Sequence, residues 1–385
     1  MRPPFSTQMP QPSVGSLFIF LNNLCNMACP NCFTPLSHSG IKPHRLEWED
    51  LKAALDLYIS QPLGGLPKNI VVIGGEPFLS FPMLVKAIEY LDTKTSPPPM
   101  EIFTNGSIID KKKYEQIRRD WLKLYISIDG DKAGNDTYRV FVNSKNSVYD
   151  AVMPRLEELP RNELGIFVVM HPHNLTGLMN AVTGFYNRGF GSIDFCIDMI
   201  EKWTPDDIKN LHAFSAAFAS FFVERTQRDG RLPFTCEMIE QSIVVGNSIA
   251  RGDAWWVNTG ELILGADGHY YACEGAPHYA YENIASKLSL SRARDGEPNW
   301  EQRQSYLEKA DKYLMSLGAQ KRWQILSPRI FYTEGQIEGK DSREHLEMFQ
   351  DFSEAFLVEL LRIASRLQDH PAFQKHYLKT PADAR

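Results

Sequence analysis

No stretch of this 385-residue chain holds an apolar run of the ~18 residues that a membrane-spanning helix requires, so no transmembrane segment and no membrane partner are expected. The opening segment, MRPPFSTQMPQPSVGS, lacks the apolar stretch of a secretory signal. It reads as a polar, proline-rich flexible arm over residues 1–15, and the cytoplasm is the expected location. A basic surplus is missing too. Against 47 Asp and Glu stand 41 Lys and Arg, a net charge of −6 that offers no footprint for nucleic acid. Cysteine is scarce, at positions 25, 29, 32, 196, 236 and 273, and is not spread in the pairs of a disulfide framework. A chain of this length buries enough core to do without such staples. What it has instead is three thiols within eight residues, the mark of a metal site in a reducing compartment.

The first 230 residues alternate short β-branched runs with amphipathic stretches. Strands are expected at Leu17–Leu21, Asn69–Ile73, Met100–Phe103, Leu122–Ile128, Gly165–Met170 and Ser192–Ile197. Helices are expected at Trp48–Ser60, Phe81–Leu91, Lys111–Asp120, Val148–Glu158, Thr176–Arg188 and Pro205–Arg225. Strand–helix units in series require a parallel sheet with helices outside it. Six are too few for a full eight-stranded barrel, so the fold class is α/β: an open, partial (β/α)6 barrel over 16–230, with a smaller α+β domain over 231–385. In the latter, Leu262–Leu264, the turn Ala266-Asp267-Gly268 and His269–Ala272 read as a hairpin, because Asp-Gly supplies the positive φ that such turns need. Helices follow at Trp300–Ser316 and Ser342–Leu367, and Ser291–Pro298 reads as a polar surface loop.

Cys25-Asn-Met-Ala-Cys29-Pro-Asn-Cys32 has the spacing C-x3-C-x2-C and directly follows the first strand, at the end of a parallel barrel where sites are built. Thiolates are the usual ligands of iron–sulfur clusters, and three of them leave one iron open. A structural zinc site would want a fourth Cys or His at finger spacing, and none is there. Further motifs close successive strands: Gly74-Gly75-Glu76-Pro77, then Thr104-Asn105-Gly106, then Ser127-Ile128-Asp129-Gly130, with Tyr138-Arg139 downstream.

In this series the chain resembles the radical S-adenosylmethionine (SAM) superfamily. The resemblance implies one [4Fe–4S] cluster on Cys25, Cys29 and Cys32, with SAM chelated by the open iron. It implies SAM contacts from Gly74, Gly75, Glu76 and Pro77 (toward the amino group), from Asn105, from Ser127 and Asp129 (both near the ribose) and from Arg139 (toward the carboxylate). It also implies reductive cleavage of SAM to a 5′-deoxyadenosyl radical that abstracts hydrogen from substrate, fed by an external flavodoxin- or ferredoxin-like electron donor. One position departs from the pattern: Asn31 stands before the third cysteine, where many members carry an aromatic, and Phe33 follows it.

Ala266-Asp267-Gly268-His-Tyr-Tyr-Ala-Cys273-Glu274 resembles the hairpin of SPASM and twitch domains, which hold auxiliary clusters in peptide- and protein-modifying members, the sulfatase-maturing branch among them. The rest of that pattern is missing. Trp255-Trp256 stands where a partner cysteine is expected, Ser327-Pro328-Arg329 stands in the place of a Cys-Pro-Arg, and no cysteine follows position 273. An auxiliary cluster is therefore not expected, since four ligands are needed.

Glu274 occupies the place of an acid that the resemblance implies is a base, and a surface carboxylate is the plainer reading. Cys273 is a hydrogen-donor candidate, whereas Cys196 and Cys236 read more simply as small apolar residues, Cys196 as strand core. His171 and His173 fall at the site end of the fifth strand, as substrate or SAM contacts or as ordinary loop residues. Trp255 and Trp256 line a pocket or pack the core.

Three functions stay open. The first is modification of a peptide or protein side chain, the second a small-molecule epimerase or dehydrogenase, and the third a non-catalytic Fe–S protein. The sixteen residues before Leu17 are too few for the leader-peptide-binding domain of some relatives.

Overall fold

The computed structural model describes residues 14–32, 43–61, 68–198, 201–251, 261–272, 288–316 and 343–378. The readings made for Phe33, Trp255, Trp256, Cys273, Glu274, Ser327-Pro328-Arg329 and most of the N-terminal arm lie outside these residues.

All six expected strands form: β1 (Ser16–Phe20), β2 (Asn69–Ile73), β3 (Met100–Thr104), β4 (Leu122–Ser127), β5 (Leu164–Met170) and β6 (Ser192–Ile197). Each pairs in parallel with its neighbour, and helices cross between them: α1 (Trp48–Ser60), α2 (Phe81–Asp92), α3 (Lys111–Ile117), α4 (Lys132–Tyr138), α5 (Val148–Glu157) and α6 (Leu175–Arg188). Side chains of a strand alternate between faces. Leu17 and Ile19 of β1 join the large helix-side core, while Phe20, with Phe18 packed beside it, joins a separate cluster with Ile263 and Tyr271 on the other face.

The helix starts are set by side chains that accept from orphan backbone N–H groups. Asp110 caps α3, Asp131 caps α4 and Ser147 caps α5. Thr204 and Asp207 make a reciprocal capping box on α7 (Pro205–Asp229). Helix α3 is shorter than its pattern suggested. It stops at Ile117, where Arg118 turns to extended backbone and grips Glu163 at 2.7 Å. Among the described residues three helices had no expectation, α4, α8 (Glu237–Arg251) and a last one at Pro371–Tyr377.

The hairpin forms as β7 (Glu261–Leu264) and β8 (His269–Tyr271), followed by β9 (Ser289–Arg292). Yet β7 also lies parallel to β1, Ser16 opposite Glu261, so the hairpin extends the barrel's own sheet. The nine strands run β6-β5-β4-β3-β2-β1-β7-β8-β9. The surface loop read at Ser291–Pro298 is corrected at its start, because Ser291 and Arg292 end β9. Arg292 and Arg294 converge on Asp50 of α1, with Arg294 Nε donating at 2.8 Å and Arg292 Nη2 at 3.0 Å. Burial pushes the Asp50 carboxyl up, but the hydrogen bonds from Arg294 and Arg292 outweigh it and hold the group below the usual range. Helices α9 (Trp300–Ser316), α10 (Arg343–Leu367) and α11 (Pro371–Tyr377) complete the described chain, α10 packing on α7 and α8.

Low in the sheet, β3, β4 and β6 bring polar side chains to one face. Tyr125 Oη donates to Asp194 Oδ2 at 2.8 Å, and Lys123 Nζ reaches Ser192 Oγ at 2.9 Å. Asp194 Oδ1 accepts from Glu237 N and from Met238 N, capping α8. Burial, and then the nearby Glu237 carboxyl, push Glu101 up to about 8, and burial pushes Glu237 up as well. A folded chain that keeps protons on these acids holds more than the unfolded chain does. The stability they contribute is therefore whole below the ordinary carboxylate pKa and is lost as pH rises toward about 8. Thermal melts should fall by several degrees between pH 6 and pH 8.5, and Glu101→Gln should flatten that slope. An unchanged slope would remove Glu101 as its source.

Candidate functional site

The loop that carries Cys25, Cys29 and Cys32, all three half-buried, follows β1 and is met by residues that follow β2, β3 and β6. The residue before each cysteine is anchored. Leu24 O accepts from Glu76 N at 2.6 Å, Ala28 N donates to Val140 O at 2.8 Å, and Asn31 Nδ2 donates to Asp198 Oδ2 at 2.8 Å. Gly75 shows why the β2 end must be glycine, for a Cβ there would lie 2.0 Å from Leu24 O. The close approach these glycines permit is thus to the cysteine loop itself.

Glu76 is buried, and its carboxylate is engaged within the fold. Oε1 accepts from Phe78 N at 3.0 Å and from Thr104 Oγ1 at 2.6 Å, and Oε2 accepts from Asn105 N at 2.8 Å. Pro77 begins the short 3-10 turn that follows. Asn105 Nδ2 donates to Asn26 Oδ1 at 2.9 Å and lies 3.8 Å from Cys25 Sγ. Ser127 is half-buried at the end of β4. Asp129 is buried: its Oδ1 accepts from Val169 N at 2.9 Å and from Arg139 Nη2 at 2.9 Å, while Arg139 Nε lies 2.8 Å from Oδ2. The structure therefore brings every sequence-read position of the barrel to one edge. There it engages Glu76, Asp129 and Arg139 with protein partners.

The donor set suits an iron–sulfur cluster. Two N–H groups approach Cys25 Sγ, Met27 N at 3.4 Å and Asn105 Nδ2 at 3.8 Å, and such donors are a lever on cluster sulfurs. Burial pushes the Cys25 thiol up to about 12, with Glu76, Cys29 and Cys32 adding to it. Burial also raises Cys29, which the Arg139 guanidinium then pulls down. Among the described residues no three His, Cys, Asp or Glu side chains are grouped to hold a single metal ion. Cys25 and Asn26 open on a cavity of about 370 Å³, with Phe141 to Ser144 on its other wall.

The remaining candidates separate. Cys236 is fully buried, its backbone N donating to Tyr377 Oη at 2.8 Å, as a small apolar core residue. Cys196, read as strand core, is only half-buried, on the Asp194 face of β6, while Phe195 packs on the opposite side against Phe214 and Phe218. Alternation in β6 carried that signal. Asp267 belongs to its turn, accepting from Tyr271 Oη at 2.6 Å. His173 is exposed.

His171 is buried edge-on to Tyr138, their rings 4.4 Å apart, and neither ring nitrogen has a hydrogen-bond partner among the described residues. Burial drives its pKa down to about 4. A depressed histidine contributes stability that is whole above pH ~6.5 and is lost as pH falls through about 4. Replacing His171 by Phe should make acid unfolding begin at lower pH. An unshifted acid limb would show that His171 does not drive it.

Residues 19–178 match the family model described as the Radical SAM superfamily. Over 287 residues the chain is 28% identical to the uncharacterized protein MJ0907 of Methanocaldococcus jannaschii, covering 72% of this chain and 92% of that one. In fold it is similar to native anSMEcpe with bound AdoMet, at a TM-score of 0.64 and 17% identity over 91% of this chain and 99% of that chain. The native anSMEcpe with bound AdoMet and Cp18Cys peptide gives a TM-score of 0.62 at 16% identity, with the same coverage. SuiB of Streptococcus suis gives 0.51 at 17% identity, over 74% of this chain and 64% of that one. The matched stretch contains the cysteine triplet and the strand-end motifs down to Arg139, and over residues 19–178 the chain is similar to the radical SAM superfamily.

Proposed function

We propose that this protein is a radical SAM enzyme that modifies a peptide or protein side chain. The observation that carries the reading is the cysteine loop, three thiols on eight residues held against the carboxyl ends of the parallel strands. Cys25, Cys29 and Cys32 would hold a [4Fe–4S] cluster, and the edge formed by Gly74 to Pro77, Asn105, Ser127, Asp129 and Arg139 would hold SAM. When bound, the two together supply homolytic hydrogen abstraction from an unactivated C–H bond. The chain's own part is to position and to exclude water. Asp129 fixes the Arg139 guanidinium beside Cys29, where its charge favours the thiolate. Asn105 sets an N–H toward the Cys25 sulfur.

The peptide assignment is supported by fold likeness to anSMEcpe, whose structure holds a peptide, over nearly the whole of both chains. Glu274 is proposed as the substrate base and Cys273 as a hydrogen donor. The electron source is proposed to be a flavodoxin- or ferredoxin-like protein, and the substrate pocket to lie between the barrel and the region from residue 231 onward.

Anaerobic reconstitution followed by iron and sulfide analysis, with a SAM-cleavage assay on the same sample, tests the core of the proposal. About four irons per chain and release of 5′-deoxyadenosine are expected. About eight irons would overturn the expectation of a single cluster, and negligible iron with no cleavage would sink the assignment. With a peptide substrate in hand, Glu274→Gln should abolish product while sparing SAM cleavage. Cys273→Ala should stall turnover after hydrogen abstraction. Full product formation by either variant would end the role given to that residue.

A further inference from the structure

Of the three anchors on the cysteine loop, the first two use backbone groups on the loop side, which any residue supplies. The third depends on two side chains. Asn31, directly before Cys32, donates through Nδ2 to Asp198 Oδ2 at 2.8 Å. Asp198 follows β6 and is only 2% exposed. It is fixed in turn by three further bonds. Its Oδ1 accepts from Glu201 N at 3.1 Å, its carbonyl accepts from Trp203 Nε1 at 3.0 Å, and its own N donates to Met170 O at 2.8 Å. This acid is therefore a rigid post at the far side of the barrel mouth, and the amide of Asn31 is tied to it.

We infer that Asp198 is a positioning residue, which sets Cys32 for cluster binding through the side chain of Asn31. The inference rests on the proposed cluster at Cys25, Cys29 and Cys32. A buried carboxylate facing an amide N–H has a defined polarity, and that polarity can be broken and restored. Asp198→Asn keeps an oxygen for Glu201 N but turns a second amide donor against Asn31. Asn31→Asp sets two carboxylates face to face in a buried place, a costly juxtaposition. The double exchange, Asn31→Asp with Asp198→Asn, puts an amide opposite a carboxylate again, with donor and acceptor swapped.

The test uses the full chain, reconstituted anaerobically with iron and sulfide. Its readouts are the release of iron to a chelator and the paramagnetic resonance signal of the dithionite-reduced sample. Circular dichroism of the metal-free chains shows whether each variant folds. Each single variant is expected to lose iron about 10–100-fold more readily than the parent, the usual cost of breaking an outer-shell ligand contact. Each is also expected to show an altered resonance signal, and the double exchange should return both readouts to near the parent's. Single variants that fold and retain iron as the parent does would overturn the inference, and so would a double exchange no better than the singles. If the parent itself takes up no iron, the cluster assignment fails instead, which is a different result.

Discussion

The Glu76 carboxylate accepts three hydrogen bonds inside the protein, and the carboxyl edge of the sheet is built around it. Two of those bonds come from the end of β3 and one from the turn that Glu76 itself begins, so the ends of β2 and β3 are fixed to each other. Burial raises the pKa of this group while its three donors lower it, and burial prevails. One residue earlier, Gly75 lets the backbone of Leu24 pass at a distance that any side chain would forbid. The cysteine loop thus rests on a surface whose shape is set before any ligand arrives. Pre-organisation of this kind lowers the cost of binding a cofactor, because the ligands need not be ordered in the act.

The same loop is tied to the rest of the mouth from several sides. Asn26 bonds to Asn105 and to Ser107 on the β3 side, and Ala28 to Val140 beyond α4. Arg139 is held by Asp129 at the end of β4, and Asp129 also accepts from Val169 of β5. Residues far apart in sequence therefore share one hydrogen-bonded rim. The helix-side core beneath it is apolar and tightly packed, so the polar chemistry is confined to the edge.

Much of this was legible in the sequence, for identifiable reasons. Strands buried on both faces read as short β-branched runs, and NIVVI of β2 is plain. The cysteine triplet and the strand-end motifs are local patterns, and the structure gathers them at one edge. What was not legible depends on partners distant in sequence. SLSR of β9 carries no strand signal of its own and is drawn into the sheet by Asp50, more than 240 residues earlier. The partner of Asn31 is likewise unreadable from its neighbours, since Asp198 lies across the barrel mouth. Helix α8 begins where Asp194 of β6 supplies its cap, and no residue adjacent to it announces that start. The direction of the Glu76 carboxylate is the sharpest instance, because a motif names a residue without saying which way its side chain points.

The place of β1 bears on how the chain acquires its shape during synthesis. Although it precedes the other described strands in sequence, it lies inside the sheet, with β2 on one side and β7 on the other. Ser16 finds one partner at Asn69 and the other only at Glu261. As the ribosome delivers the chain, one edge of β1 lacks its partner until β7 has emerged, well after β2 to β6. An exposed edge of buried-type residues is a template for wrong pairing, and contacts this distant in sequence close slowly. The hairpin that follows the barrel is therefore also its last stave, and the nascent protein is most in need of protection before that stave arrives.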